Sequence, residues 1–321
     1  MNNKCLYCYK PIRENGQPDF HEHCSLEFFG TKNPPLLSYT LGEMASLAKN
    51  IVERHVSVPG VQPKISLSVI KDTLTERNMG RLTVVGALGG NYIFKPPSDH
   101  YAEMPENEHA TMRIAEMFGI KTVKSSLIRL ASGELSFITK RIDRASAGNK
   151  IHMLDMFQIT EASDKYRSSM EKVGKALGQY SANSLLDKSY FFDLSVFSFL
   201  TGNNDMHLKN FSMINDNEEW LLSPAYDLLN VAIVNPGDDE DLALTLEGKK
   251  KKLKREHFER LGKGLDLTDR QIEGTFRRLF GNKYKAIEWI NNSFLSKDYQ
   301  DEYIKLLNER YARMEEREPA K

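Results

Sequence analysis

The sequence predicts an α+β protein whose first part is built from short strands and whose second part is helical. Three features carry that prediction. Alternating, β-branched segments separated by Gly or Asn cluster between residues 64 and 142. Helical periodicity takes over after about residue 145. Within the helical part, two apolar runs, YFFDLSVFSFL and FSMI, enclose the polar break TGNNDMHLKN. A chain of 321 residues suits two domains or two lobes of about 150 residues each.

The expected division is a small Cys/His unit over 1–35, a first lobe over 36–142 and a helical lobe over 143–321. Leu41, Met44, Leu47, Ala48 and Ile51 form the apolar stripe of a helix over 40–55. KISLSVI (64–70), GRLTVVGA (80–87) and NYIFKP (91–96) read as strands of a small antiparallel sheet. PENEHATMRIAEMFG (105–119) reads as a helix opened by Pro105 and stopped by Gly119. KSSLIRL and ELSFITKRI form a hairpin around ASG. Further helices are expected over 167–182, 187–200, 254–262, 268–279 and 282–312. NFSMIN and NEEWLLSP read as a second hairpin, with Trp220 in the core behind it.

Hydrophobic residues make up 40% of the chain and charged residues 27%, a soluble globular composition. Lys plus Arg equals Asp plus Glu, 44 against 44, so no global charge points to nucleic acid or an anionic membrane. No run approaches the roughly 18 apolar residues of a membrane span, and the opening MNNKCLYCYKPIREN lacks the apolar core of a signal peptide. All three Cys fall within the first 24 residues, too localised for a disulfide framework, and the cytoplasm is the expected compartment.

In the polar break, Asp205 and Asn210 have the spacing D-x4-N. In a phosphoryl-transfer loop of that spacing, the Asp accepts the proton of the attacking hydroxyl and the Asn holds a metal ion. Lys209 lies beside them to neutralise charge on the phosphoryl group, and His207 is placed to orient the loop. The plainer alternative is a polar turn, since Gly, Asn and Asp favour turns. Downstream, LLSPAYDLLNV sets Asp227 in an apolar stretch just after a strand. A carboxylate there suits a second metal ligand, or the N-cap of a helix over LLNVAI.

Lys95 ends the strand in NYIFKPP, where a nucleotide-binding Lys would stand; Glu108 in the next helix is its expected partner, with Glu106 as fallback. SVPGVQPKISL (57–67), with Gly60, Gln62 and Lys64, is positioned to cover phosphates, although it is neither a Walker loop nor G-x-G-x-x-G. SFITKRIDR (136–144) lies at the change of texture, a hinge whose backbone could meet an adenine edge. The expectation is that positions 95, 205, 210 and 227 meet around one Mg²⁺-bound triphosphate.

CLYCYKPIRENGQPDFHEHC supplies Cys5, Cys8, His21, His23 and Cys24. C-x2-C followed by H-x2-C is zinc-site spacing, and it favours His21 over His23 as fourth ligand. Four protein ligands leave no open position, so such a zinc is structural; the alternative is an arm with reduced thiols. No basic and aromatic stripe accompanies the unit, which argues against direct nucleic-acid binding. GKKKKLKRE (248–256) reads as a solvated turn whose charge the upstream NPGDDEDLAL can offset.

SVPGVQPK, YIFKPP, ENEHATMRIAEMFG, FITKRIDR, NNDMHLKNFSM and SPAYDLL together resemble the HipA-like serine/threonine kinases of bacterial toxin–antitoxin systems, in order, over roughly residues 55–315. The resemblance implies a two-lobed kinase-like fold using ATP and Mg²⁺. It implies Asp205 as catalytic base, Asn210 and Asp227 as Mg²⁺ ligands and Lys95 on the phosphates. It further implies that the backbone of Thr139, Lys140 and Arg141 forms the adenine hinge and that Ser57 is an autophosphorylation site. An aminoacyl-tRNA synthetase as protein substrate and a helix-turn-helix antitoxin as partner are also implied. The family's long amino-terminal subdomain is replaced here by the Cys/His unit, which puts that partner surface in question. A small-molecule kinase and a non-catalytic kinase-like binding module are the rival expectations.

Overall fold

The computed structural model describes residues 4–12, 19–54, 64–71, 80–84, 90–98, 100–145 and 149–315. The chain divides into two compact units, one of residues 1–109 and 123–148, the other of residues 110–122 and 149–321.

The first unit carries the helices α1 (Glu22–Phe29) and α2 (Leu41–Arg54) and the strands β1 (Ile65–Lys71), β2 (Gly80–Val84) and β3 (Tyr92–Lys95). It also contains the first turns of α3 (Met104–Met117), then β4 (Ser125–Arg129) and β5 (Leu135–Lys140). The five strands form one antiparallel sheet in the order β2-β1-β3-β5-β4. Ile65 and Leu67 of β1 and Tyr92 and Phe94 of β3 put alternate apolar residues into the core, and Leu82, Leu127, Phe137 and Ile138 are buried with them. The expected strands and hairpin are thus present, with β2 closing at Val84 among the described residues.

The second unit begins with the rest of α3. Gly119, with φ of 79°, ends that run in the left-handed region that favours glycine. Next come β6 (Met153–Asp155), α4 (Met156–Ile159), α5 (Met170–Tyr180) and α6 (Ser184–Leu200). After α6 a 3-10 turn (Leu208–Asn210) leads into β7 (Ser212–Asp216), β8 (Glu219–Leu222) and α7 (Val231–Val234). The helices α8 (Arg255–Gly264), α9 (Asp269–Gly281), α10 (Lys283–Asn292) and α11 (Lys297–Glu315) complete it. α6 is apolar almost all round, and Phe191, Phe192, Val196, Phe197, Phe199 and Leu200 are fully enclosed. Such a helix belongs at the centre of its unit.

The structure departs from expectation at several points, α1 and α4 among them. The single helix expected over 282–312 is two, because the NNSFLS segment breaks it. Ser293 Oγ donates to Ile290 O at 2.7 Å and Gln300 Nε2 donates to Leu295 O at 3.0 Å, replacing helical bonds there. The hairpin β7–β8 gains β6 as a third strand. Trp220 is half-buried on β8 and not in the core. The basic turn is offset as expected: Lys250 pairs with Glu240 at 3.1 Å, and Lys251 pairs with Asp239.

Candidate active site

In the second unit, α6 delivers the chain to the loop 201–211. Gly202 has φ of 69°, and a Cβ there would come within 2.7 Å of Asn230 Oδ1 and 2.8 Å of Leu306 Cδ2, so the turn requires glycine. Met206 and Leu208 are buried and anchor the loop from below. Asp205, between them and the helix end, stays half-exposed. Its carbonyl accepts from the backbone of His207 at 2.8 Å and from Asn210 Nδ2 at 2.9 Å. The second bond fixes the amide of the buried Asn210 through its nitrogen and does not use its Oδ1.

The Asp205 carboxylate is held by a residue that the spacing of motifs did not suggest. Tyr166 OH donates to Asp205 Oδ1 at 2.8 Å. Burial first, and then the Asp205 charge, push the Tyr166 hydroxyl well above the usual phenol range, so it keeps its proton. Lys165 Nζ donates to His207 Nε2 at 2.9 Å, which makes that ring nitrogen an acceptor. His207 is buried and its ring stands edge-on to Tyr166 at 5.0 Å. Lys209 is half-buried, with its ammonium 4.9 Å from the centre of the Phe157 ring.

The segment after β8 is tied back onto this loop. Tyr226 OH donates to Lys209 O at 2.9 Å and shares a 2.5 Å contact with Ser212 Oγ. The next residue, Asp227, is half-buried with φ of 60°. Asp227 is not a helix N-cap: Asn230 caps α7, its side chain accepting from Ile233 N at 3.2 Å. Asn210 and Asp227 therefore offer two oxygen donors of the kind Mg²⁺ prefers.

In the first unit, Lys95 Nζ lies 2.6 and 2.8 Å from the two carboxylate oxygens of Glu108. Both side chains are almost fully enclosed, at 4% and 1% exposure, and a buried pair of this geometry is the form in which a buried charge is tolerated. Glu106 is half-buried, and burial pushes its carboxyl up to about 7. At the expected hinge, Thr139 and Lys140 lie in β5, where the Lys140 amide donates to Lys124 O and the Arg141 amide to Asn91 O, each at 2.9 Å. Those two donors are therefore engaged within the unit. Lys64 is exposed just before β1, whereas Ser57, Gly60 and Gln62 lie outside the described residues.

Also in the first unit, Cys5, Cys8, His21 and Cys24 bring one ligand atom each within 4.8 Å of one another. His21 Nδ1 lies 3.4 Å from Cys8 Sγ and 3.8 Å from Cys24 Sγ, while the exposed His23 stacks on His21 and lies 3.3 Å from Cys24 Sγ. Hydrogen bonds from Cys24 and Cys8 hold the Cys5 thiol well below its usual range, and contacts with Cys5 and Cys8 push Cys24 up.

Solved structures of two other proteins share the fold. A chain from the Shewanella oneidensis MR-1 toxin–antitoxin complex of HipA, HipB and operator DNA aligns with a TM-score of 0.65 at 19% identity, covering 83% of this chain and 70% of that one. The Helicobacter pylori proinflammatory kinase CtkA aligns with a TM-score of 0.51 at 15% identity, over 70% and 87%. The fold is thus the two-lobed, kinase-like one. Residues 56–287 match the model of the HipA-like C-terminal domain, and the chain belongs to that family. A Haemophilus influenzae protein named "Putative kinase" is 29% identical over 247 residues, 72% of this chain and 69% of its own length. "Putative kinase Y4dM" of Sinorhizobium fredii is 34% identical over 249 residues, 72% of this chain but 58% of that protein. Among the described residues no helix is long and apolar enough to cross a membrane.

Proposed function

We propose that the protein is an ATP- and Mg²⁺-dependent kinase that transfers the γ-phosphoryl group to a serine or threonine hydroxyl of a protein, itself included at Ser57. One observation carries the reading. A single loop holds a half-exposed carboxylate already engaged with a hydroxyl, and the side chain of an Asn five residues on is hydrogen-bonded to the backbone carbonyl of that same Asp.

Asp205 accepts the proton of the attacking Ser or Thr oxygen as that oxygen bonds to γ-phosphorus and the bond to the β-phosphate oxygen breaks. Asn210 Oδ1 and the Asp227 carboxylate hold Mg²⁺, which when bound neutralises charge on the β- and γ-phosphates. Lys95, steadied by Glu108, binds phosphate oxygens, and Lys209 offsets charge on the transferred group. Gly60, Gln62 and Lys64 cover the phosphates. The Lys140 and Arg141 amides are engaged in the first unit, so the adenine edge is met by other backbone groups of the 136–144 segment. The likeness to a HipA chain solved with HipB and operator DNA supports a small DNA-binding antitoxin as partner. An aminoacyl-tRNA synthetase remains the first substrate to assay.

Asp227→Asn tests the metal assignment cleanly, because Asn tolerates the left-handed backbone at this position while removing the charge. The wild-type melting temperature should rise with ATP only when Mg²⁺ is present, since a ligand bound by the native state alone stabilises it. The variant should fold and lose the Mg²⁺-dependent part of that rise. An unchanged Mg²⁺-dependent rise in the variant removes Asp227 from the site.

A further inference from the structure

We propose that Cys5, Cys8, His21 and Cys24 bind one zinc ion, and that this ion fastens the amino-terminal segment to β4 and to the helix that carries Glu108.

A zinc ion with sulfur at about 2.3 Å and nitrogen at about 2.0 Å, tetrahedrally arranged, sets its ligand atoms roughly 3.5–3.8 Å apart. The sulfur–nitrogen separations at His21, 3.4 and 3.8 Å, are close to that spacing. The His21 ring is already oriented as a ligand. Its Nε2 lies 3.1 Å from Pro11 O and donates to it, which leaves Nδ1 as the lone-pair nitrogen facing the sulfurs. Three thiolates and a neutral imidazole suit zinc over oxygen-seeking cations.

The amino-terminal segment has little regular structure to hold it. Its one helix among the described residues, α1, has 8 residues, yet Cys5, Leu6, Tyr7, Tyr9, Phe20, Cys24, Phe28 and Phe29 are all buried. A metal supplies the cross-link that so short a unit otherwise lacks.

What the knuckle then holds follows from its contacts. Leu6 O accepts from Leu127 N at 3.3 Å, which covers the outer edge of β4, an edge strand of the five-stranded sheet. Arg129 on the same strand pairs with Asp19 at 3.1 Å, and Lys124 pairs with Glu27 at 3.3 Å. Tyr9 leaves the Cys5–Cys8 turn with φ of 61° and places its hydroxyl 2.8 Å from His109 Nδ1, a buried contact. His109 follows Glu108 directly in α3. The ion thus secures the Tyr9 turn, the turn secures His109, and His109 steadies the residue that holds Lys95. The exposed His23 is no ligand in this arrangement.

The full-length protein, purified without chelator, should contain one equivalent of zinc by inductively coupled plasma mass spectrometry. Cys8→Ser/Cys24→Ser should contain none, and His23→Ala should keep the full equivalent. Hydrogen exchange at β4 and at the first turns of α3 should become about tenfold faster or more when zinc is stripped, and return on adding zinc. Tyr9→Phe guards against a variant that merely fails to fold: it should keep zinc and β4 protection while exchange at the start of α3 quickens. A zinc-free protein with native protection of residues 4–12 and 19–30 overturns the site. Unaltered exchange in β4 and α3 on stripping, or in α3 of Tyr9→Phe, overturns the coupling. None of these readouts depends on phosphoryl transfer, so they stand or fall apart from the kinase reading.

Discussion

Tyr166 OH and Asp205 Oδ1 are 2.8 Å apart, so the carboxylate proposed as base holds the phenol of its own chain in the place an acceptor hydroxyl would take. A hydrogen bond to a charged group is worth roughly 1.5–3 kcal/mol, and an incoming hydroxyl has to displace this one. Tyr166→Phe should therefore raise phosphoryl transfer to an added protein substrate by roughly tenfold under kcat/KM conditions. A fall in rate would mean that Tyr166 orients Asp205 and does not compete with the substrate.

The Lys95–Glu108 pair is nearly sealed from water, so its two charges depend on each other. Lys95→Met or Glu108→Leu alone should cost roughly 3–5 kcal/mol of stability, because each leaves a buried charge without its partner. The double variant should be clearly less destabilised than the sum of the two, which urea unfolding of all four proteins measures. Additive losses would show that the two groups do not share one energetic unit.

Glu106 gives the chain a pH signature. Burial raises its carboxyl from 4.5 to about 7 in the folded protein. The folded state then holds more protons than the unfolded state across that interval, so the contribution of this group to stability is full below about pH 4.5 and declines as pH rises towards 7. Glu106→Gln should flatten that part of the stability–pH curve and gain relative to wild type above pH 7. Parallel curves for the two proteins would show that Glu106 titrates normally.

Much of this was legible in the sequence, and the residues explain why. α6 announced itself through a largely apolar run, β1 and β3 through two-residue alternation, and β4 and β5 as a hairpin around the ASG turn. Lys95 and Glu108 stood out because a strand end followed by a helix fixes where each side chain can reach. β6 has three residues and α4 four, too few to express any period, so both were invisible. The break between α10 and α11 was masked because apolar positions recur on both sides of it at helical spacing. Tyr166 and Lys165 sit in the polar stretch SDKYRSS, 39 and 42 positions from their partners, and nothing local links them to the loop. Tyr226 could have been found, since it adjoins Asp227. The Tyr9–His109 contact spans 100 positions and belongs to no motif.

The central claim is that Asp205 accepts the proton in phosphoryl transfer to a protein hydroxyl. Its most direct test is phosphosite mass spectrometry of the purified chain incubated with ATP and Mg²⁺, beside Asp205→Asn, which keeps the shape of the side chain and removes its basicity. Phosphate on Ser57 in the wild type and none in a variant of unchanged melting temperature is the predicted result. Equal phosphate in the two proteins would contradict the account.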